Sequence, residues 1–238
     1  FKSLKSKYGC VIIEDACHAL GATYKKSKKT IKIGSCTDSD ISTFSLHPLK
    51  TITTGEGGII TTNSKKLAQR IKELRSLGIK RDKVKHWTYE IENIGFNFRL
   101  NDFQSALGLS QLSKLKKFIS NRKKIFNNYM RLLNKIKEIN LPDHDNRYIS
   151  SHHLFIVSLK YPNLHLKEKL IKHMLKNKVI IQYHYIPIYK FKVFRGKYIK
   201  KNSEIYFQSA ISLPIYYGLT FKQQKYVVLK LKEFFKKN

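Results

Sequence analysis

The chain has 238 residues, 42% of them hydrophobic, and a formal net charge of +31. That length suffices for one large domain or two small ones with a sizeable core, and no run of about 18 apolar residues marks a membrane span. The charge invites a nucleic-acid or anionic-surface reading, but the lysines are scattered through nearly every segment without an RRM, KH, zinc-finger or helix-turn-helix signature, so they read as solvated faces.

The amino end, Phe1 to Gly9, lacks the apolar stretch of a signal peptide and runs straight into a core strand. Val11 to Ile13 read as a strand buried on both faces, with Glu14 and Asp15 at its carboxyl end. Thr23 to Gly34 reads as an exposed hairpin with a lysine-rich turn. A strand over Asp40–Ser45 and another starting at Gly58 flank the stretch Ser45-Leu-His-Pro-Leu-Lys50-Thr-Ile-Thr-Thr-Gly55-Glu-Gly-Gly58. Asn63 or Ser64 caps a helix with Leu67, Ile71, Leu74 and Leu77 on one face, ended by Gly78. Residues 79–93 show no clear period and read as a loop.

Asn101 or Asp102 starts a helical pattern that continues through Ile136, too long for one ordinary helix, so one bent helix or two in tandem are expected. Leu141-Pro142-Asp143 ends it. The expected division is therefore 1–141, a large-domain part with a long connecting helix, and 142–238, a smaller α/β unit. In the latter, His153–Leu159 and Val179–Tyr185 read as strands. Residues 166–175, 202–210 and Phe221–Phe235 read as helices, the last apolar at Val227, Val228, Leu231 and Phe234.

Two features carry chemistry. Lys50 sits on a loop between buried strands, and a lysine so placed suits Schiff-base chemistry. Asp15 lies at a strand's carboxyl end, where open α/β sheets bind ligands. A carboxylate for a pyridine nitrogen and an amine for an aldehyde are what pyridoxal phosphate requires. Cys10, Cys17 and Cys36 form no C-x-x-C pair and argue for a reducing, cytoplasmic setting. His152-His153 has no carboxylate at ligand spacing, so no metal site is expected.

Four blocks then carry a resemblance. They are Glu14-Asp-Ala-Cys-His18-Ala-Leu-Gly21, Phe44-Ser-Leu-His-Pro-Leu-Lys50 with Thr53-Thr-Gly-Glu-Gly-Gly58, Ile94-Gly-Phe-Asn97-Phe-Arg99 through Gly108, and His184-Tyr185-x-Pro187 with Leu213-Pro214. In this order they resemble the DegT/DnrJ/EryC1/StrS family of pyridoxal-phosphate sugar aminotransferases. The resemblance implies an α/β, fold-type I enzyme: the carboxyl-terminal part of the large sheet domain plus a smaller domain. An amino-terminal part of the family's length is expected to be missing, and the fragment to be inactive unless another chain supplies it.

By that resemblance, Lys50 forms the Schiff base with pyridoxal 5′-phosphate and Asp15 faces the ring nitrogen. His18, where many members carry Gln, reaches the 3′-oxygen, and Ser45 and Asn97 bind phosphate, Asn97 across a homodimer interface. Arg99 pairs with a donor carboxylate or substrate phosphate, or with a structural partner. His184 and Tyr185 lie near the site's mouth on the substrate side. The implied reaction moves an amino group from L-glutamate to C4 of a nucleotide-linked 4-keto-6-deoxy sugar. The Lys50 and Asp15 blocks are most similar to the transaminases of pseudaminic acid biosynthesis, which act on a UDP-linked N-acetylhexosamine. The rivals are another nucleotide-sugar aminotransferase of the family, a dehydratase relative (which carries His in place of Lys50) and a basic nucleic-acid-binding protein. Neither nucleic acid nor membrane is an expected partner.

Overall fold

The computed structural model describes residues 2–82, 84–85, 87–143, 145–194 and 200–237. The chain divides into two compact units, Phe1–Lys117 with Asn146–Ser151, and Phe118–Asp145 with His152–Asn238.

In the first unit, helix α1 (Lys2–Tyr8) precedes β1 (Ile13–Asp15). Strands β2 (Thr23–Lys26) and β3 (Lys29–Lys32) form the expected hairpin, which turns through Ser27 at φ 53° and exposes its lysines. Strands β4 (Ile41–Ser45) and β5 (Gly58–Thr61) flank the lysine loop. The sheet order is β1-β4-β5, with β1 parallel to β4 and β5 antiparallel to it. Asp15 stands opposite Thr43, so the carboxyl ends of β1 and β4 lie side by side.

One expectation fails at β1. Val11 and Ile13 are 62% and 63% exposed, not buried on both faces. The run is apolar throughout, but no described residue covers that side of it. Glu14 points the other way from Asp15, and its Oε2 accepts from Ser42 Oγ at 2.5 Å and from the Gly34 amide at 3.3 Å. Buried hydrophobic residues of this unit are few: Ala16, Ala22, Phe44, Leu46 and Ile52 among those described.

Helix α2 (Lys65–Arg75) starts at Ser64, whose hydroxyl accepts from the Leu67 amide. It closes at Gly78, whose amide donates to Glu73 O from φ +73°. Residues 79–93 are not a loop but contain a hairpin, β6 (Ile79–Arg81) against β7 (Tyr89–Ile91); positions 83 and 86 lie outside the described residues. Strands of three residues are too short to show a period. Helix α3 (Asp102–Ser113) begins with a capping box formed by Asn101 and Gln104. Helix α4 (Leu115–Leu133) follows after a break at Lys114, giving two helices in tandem.

Helix α4 buries Ile125, Phe126, Tyr129 and Leu133 in the core of the second unit. By contact, α4 belongs with the second unit from Phe118 onward. Strand β8 (Ile139–Asn140) follows, and the chain then returns to the first unit, where β9 (Tyr148–Ile149) pairs with β2. Then come β10 (Phe155–Leu159), α5 (Leu164–Lys176), α6 (Lys201–Ser209), β11 (Ala210–Leu213) and α7 (Phe221–Phe235). The sheet order is β11-β10-β8, antiparallel throughout. Alternate residues of β10, Phe155, Val157 and Leu159, are buried against the apolar stripes of α4, α5 and α7.

Val179–Tyr185 does not form the expected strand. It makes only an isolated bridge, Gln182 opposite Ser212, and the paired strand is β11, of which only Ala210 was included in the expected 202–210 helix. All four residues of β11 are buried, a run too short to be told from a helix end by pattern alone.

Candidate active site

Lys50 is held on a turn that its neighbours pin from both sides. Its amide donates to His47 O at 2.9 Å, and the Leu49 amide donates to His47 Nδ1 at 3.2 Å. Leu46 and Ile52, each 2% exposed, anchor the turn on either side. Leu46 O accepts from the Thr54 amide and the Thr53 hydroxyl, and the Leu46 amide donates to Gly57 O. Gly57 has φ +154°, and a Cβ there would lie 2.5 Å from Thr54 Oγ1 and 2.8 Å from Leu100 Cδ2. The loop's glycine is thus required by both backbone and space.

Lys50 itself is half-buried and, among the described residues, has no ion-pair or hydrogen-bond partner for its ammonium. Its charge does act on Asp15. Hydrogen bonding from Cys17, whose amide lies 3.0 Å from Asp15 Oδ1, holds the Asp15 carboxyl below the usual carboxylate range. The charges of His18 and Lys50 push it further the same way. Asp15 is therefore ionised and exposed at the end of β1. Burial, and then Asp15, raise the Cys17 thiol. Ser45, closing β4, accepts from the His47 amide at 3.3 Å, which leaves its own proton free for a ligand oxygen. His18 is half-buried, and its carbonyl accepts from the Ser151 hydroxyl.

The 94–108 block meets this loop within the same unit. Gln104 Nε2 donates to Glu56 O at 3.1 Å, and a Cβ on Gly108 would lie 2.9 Å from Thr54 Cγ2. Asn97 and Arg99 are exposed on a strap laid along the end of α2, where Asn97 bridges Ser76 and the Phe98 amide donates to Arg75 O. His184 and Tyr185 belong to the second unit; His184 Nδ1 lies 2.8 Å from Ser212 Oγ, and the exposed Tyr185 ring stands edge-on to it. Cys17 and Gln104 also shape the site. The Asp15–Cys17 bond is an Asx turn, and Asn-x-x-Gln at 101–104 is a capping signature; both are local patterns that a sequence displays.

The sequence profile of the DegT/DnrJ/EryC1/StrS aminotransferase family matches residues 1–232. The chain belongs to that family. Within the DegT/DnrJ/EryC1/StrS aminotransferases, it is similar to UDP-4-amino-4,6-dideoxy-N-acetyl-beta-L-altrosamine transaminase of Campylobacter jejuni, 34% identical over 232 residues, covering 94% of this chain and 58% of the relative. The Helicobacter pylori protein of the same name is 31% identical over 252 residues, covering 99% and 62%. Among solved structures, Helicobacter pylori PseC, an aminotransferase involved in pseudoaminic acid biosynthesis, superposes with a TM-score of 0.90 at 29% identity, covering all of this chain and 62% of the other. The fold is thus the α/β, type I fold of the sugar aminotransferases. The chain spans about three-fifths of the length of these relatives.

Proposed function

We propose that this family member works as a pyridoxal-phosphate transaminase, moving an amino group from L-glutamate to C4 of a nucleotide-linked 4-keto-6-deoxy sugar. The carrying observation is the Lys50 ammonium, unpartnered among the described residues on a pinned turn that follows β4, whose charge acts on an ionised Asp15 at the carboxyl end of the parallel strand β1. The names of the relatives that are 34% and 31% identical favour a UDP-linked N-acetylhexosamine of pseudaminic acid biosynthesis. GDP-perosamine synthase of Escherichia coli O157:H7, 30% identical over 225 residues, keeps the choice of nucleotide open to assay.

The residues present fit the coenzyme. Lys50 would hold its aldehyde carbon, Asp15 its ring nitrogen, His18 its 3′-oxygen and Ser45 its phosphate. Bound, the coenzyme supplies an electron sink at the carbon that carries the amino group. The ionised Asp15 keeps a proton on the ring nitrogen, and the Lys50 amine, once displaced, is a base placed to move a proton at the substrate carbon. Asn97, exposed and without a side-chain hydrogen bond among the described residues, is free to serve a neighbouring subunit's site in a homodimer. Arg99, His184 and Tyr185 belong to the substrate side of this proposal. The division at residue 141, with α4 as connecting helix, and a cytoplasmic setting are also parts of it. No helix among the described residues is long and apolar enough to cross a membrane.

The test is borohydride reduction after incubation with pyridoxal phosphate, followed by peptide mapping. The coenzyme is expected on the peptide containing Lys50, and Lys50→Ala is expected to lose both label and near-visible absorbance. Labelling that survives in Lys50→Ala at the same level overturns the proposal.

A further inference from the structure

The end of α2, β6 and the strap at 97–99 enclose a cleft of about 380 Å³. Lys72, Arg75, Arg81 and Arg99 line it, with Glu73 as its only carboxylate among the described residues. Glu73 accepts a hydrogen bond from Gln69 at 2.7 Å. None of the four cations has an ion-pair or side-chain hydrogen-bond partner among the described residues. The neighbouring Lys80, by contrast, pairs with Glu92 at 2.7 Å.

Scattered lysines explain the chain's charge, but they do not explain this composition. Only eight of its 47 cationic side chains are arginine, yet three of the four in the cleft are. Helix-dipole compensation accounts for Lys72 and Arg75 in the last turn of α2 and for neither of the others. The carbonyls of Leu74 and Arg75 are moreover already taken by the amides of Phe96 and Phe98. Like charges brought from three elements to one concavity repel each other unless an anion joins them. Guanidinium groups match phosphate oxygens with paired hydrogen bonds, which a lysine cannot do.

We propose that this cleft binds a diphosphate group, with Arg75, Arg81 and Arg99 on its oxygens and Lys72 adding charge. That the diphosphate is part of a nucleotide-linked sugar rests on the function proposed above; the affinity for the anion does not.

Titration calorimetry of the full 238-residue chain with inorganic pyrophosphate at near-physiological salt tests it. Saturable binding of one anion per chain is expected, weakened at least about tenfold by Arg75→Gln/Arg81→Gln. Arg99→Lys, which keeps the charge and loses the planar fork, is expected to weaken it several-fold. Lys25→Gln/Lys28→Gln removes the same charge from the exposed hairpin and should leave affinity within about twofold. Absence of saturable binding, or equal weakening by the arginine and lysine pairs, overturns the site. Borohydride labelling of Lys50 on the same samples separates the two readings: label without pyrophosphate binding sinks the cleft alone, and binding without label sinks the transaminase alone.

Discussion

The Lys50 charge helps to hold the Asp15 carboxyl below the usual carboxylate range, although 34 residues lie between them in sequence, Asp15 ending β1 and Lys50 standing on the turn after β4. Parallel pairing of β1 with β4 produces this, because it brings both carboxyl ends to one edge of the sheet. Asp15→Asn keeps an oxygen for the Cys17 amide and removes the charge. Its affinity for pyridoxal phosphate, followed by absorbance titration, is expected to fall about tenfold, with the melting temperature little changed. Unchanged affinity would remove Asp15 from the ring nitrogen.

Gly78 and Gly95 hold the 94–99 strap against the end of α2. A Cβ on Gly95 would lie 2.2 Å from the Gly78 amide nitrogen, and one on Gly78 1.8 Å from Asn93 O. Both obstacles are backbone, so neither can swing aside. Gly95→Ala is expected to cost about 2–4 kcal/mol in chemical denaturation. Gly55→Ala, at φ +81° with open space around it, should cost only about 1 kcal/mol.

Tyr129 is wholly buried, its ring tilted against Phe155 at 4.9 Å between centroids, and its hydroxyl has no partner among the described residues. Burial pushes its phenol pKa upward. Tyr129→Phe removes an unpaired polar atom and keeps the ring, so a gain of up to about 1 kcal/mol is expected by thermal melting. A loss of that size would show that the hydroxyl is bonded.

Lys167 is 1% exposed on α5, with its ammonium over the rings of Tyr183 and Phe207 and bonded to Phe207 O. Burial lowers its pKa to about 8 from 10.5. Between those two values the unfolded chain binds the proton and the folded chain does not, so this group makes stability rise with pH across that window. Below pH 8 both states are protonated, and the buried charge carries its full cost. Relative to Lys167→Met, the native chain should gain stability from pH 8 to 10.5, by at most on the order of 3 kcal/mol. A difference that stays flat with pH would mean that the ammonium is solvated.

Local devices were legible from the residues alone. Ser64, Asn101 with Gln104, and Gly78 mark helix ends through bonds a few residues long, and the apolar spacing over 221–235 marks α7 with its buried stripe. Lys50 and Asp15 stand out in the sequence as well, a lysine between strands and an aspartate at a strand's end being unusual in a structural role, and the roles given to them belong to the proposal. Long-range pairing was not legible. β11 and the segment at 179–185 are both short and apolar, and only the partner edge of β10 decides which becomes the strand. Whether Ile13 is covered depends on what lies across the sheet, which β1 itself does not encode. Tertiary structure alone also brought the 94–108 block onto the lysine loop through Gln104 and Gly108, and three arginines from separate elements into one cleft. Caps and amphipathic stripes are free energies of neighbours in sequence, whereas register, coverage and convergence are free energies of contacts between segments far apart in the chain.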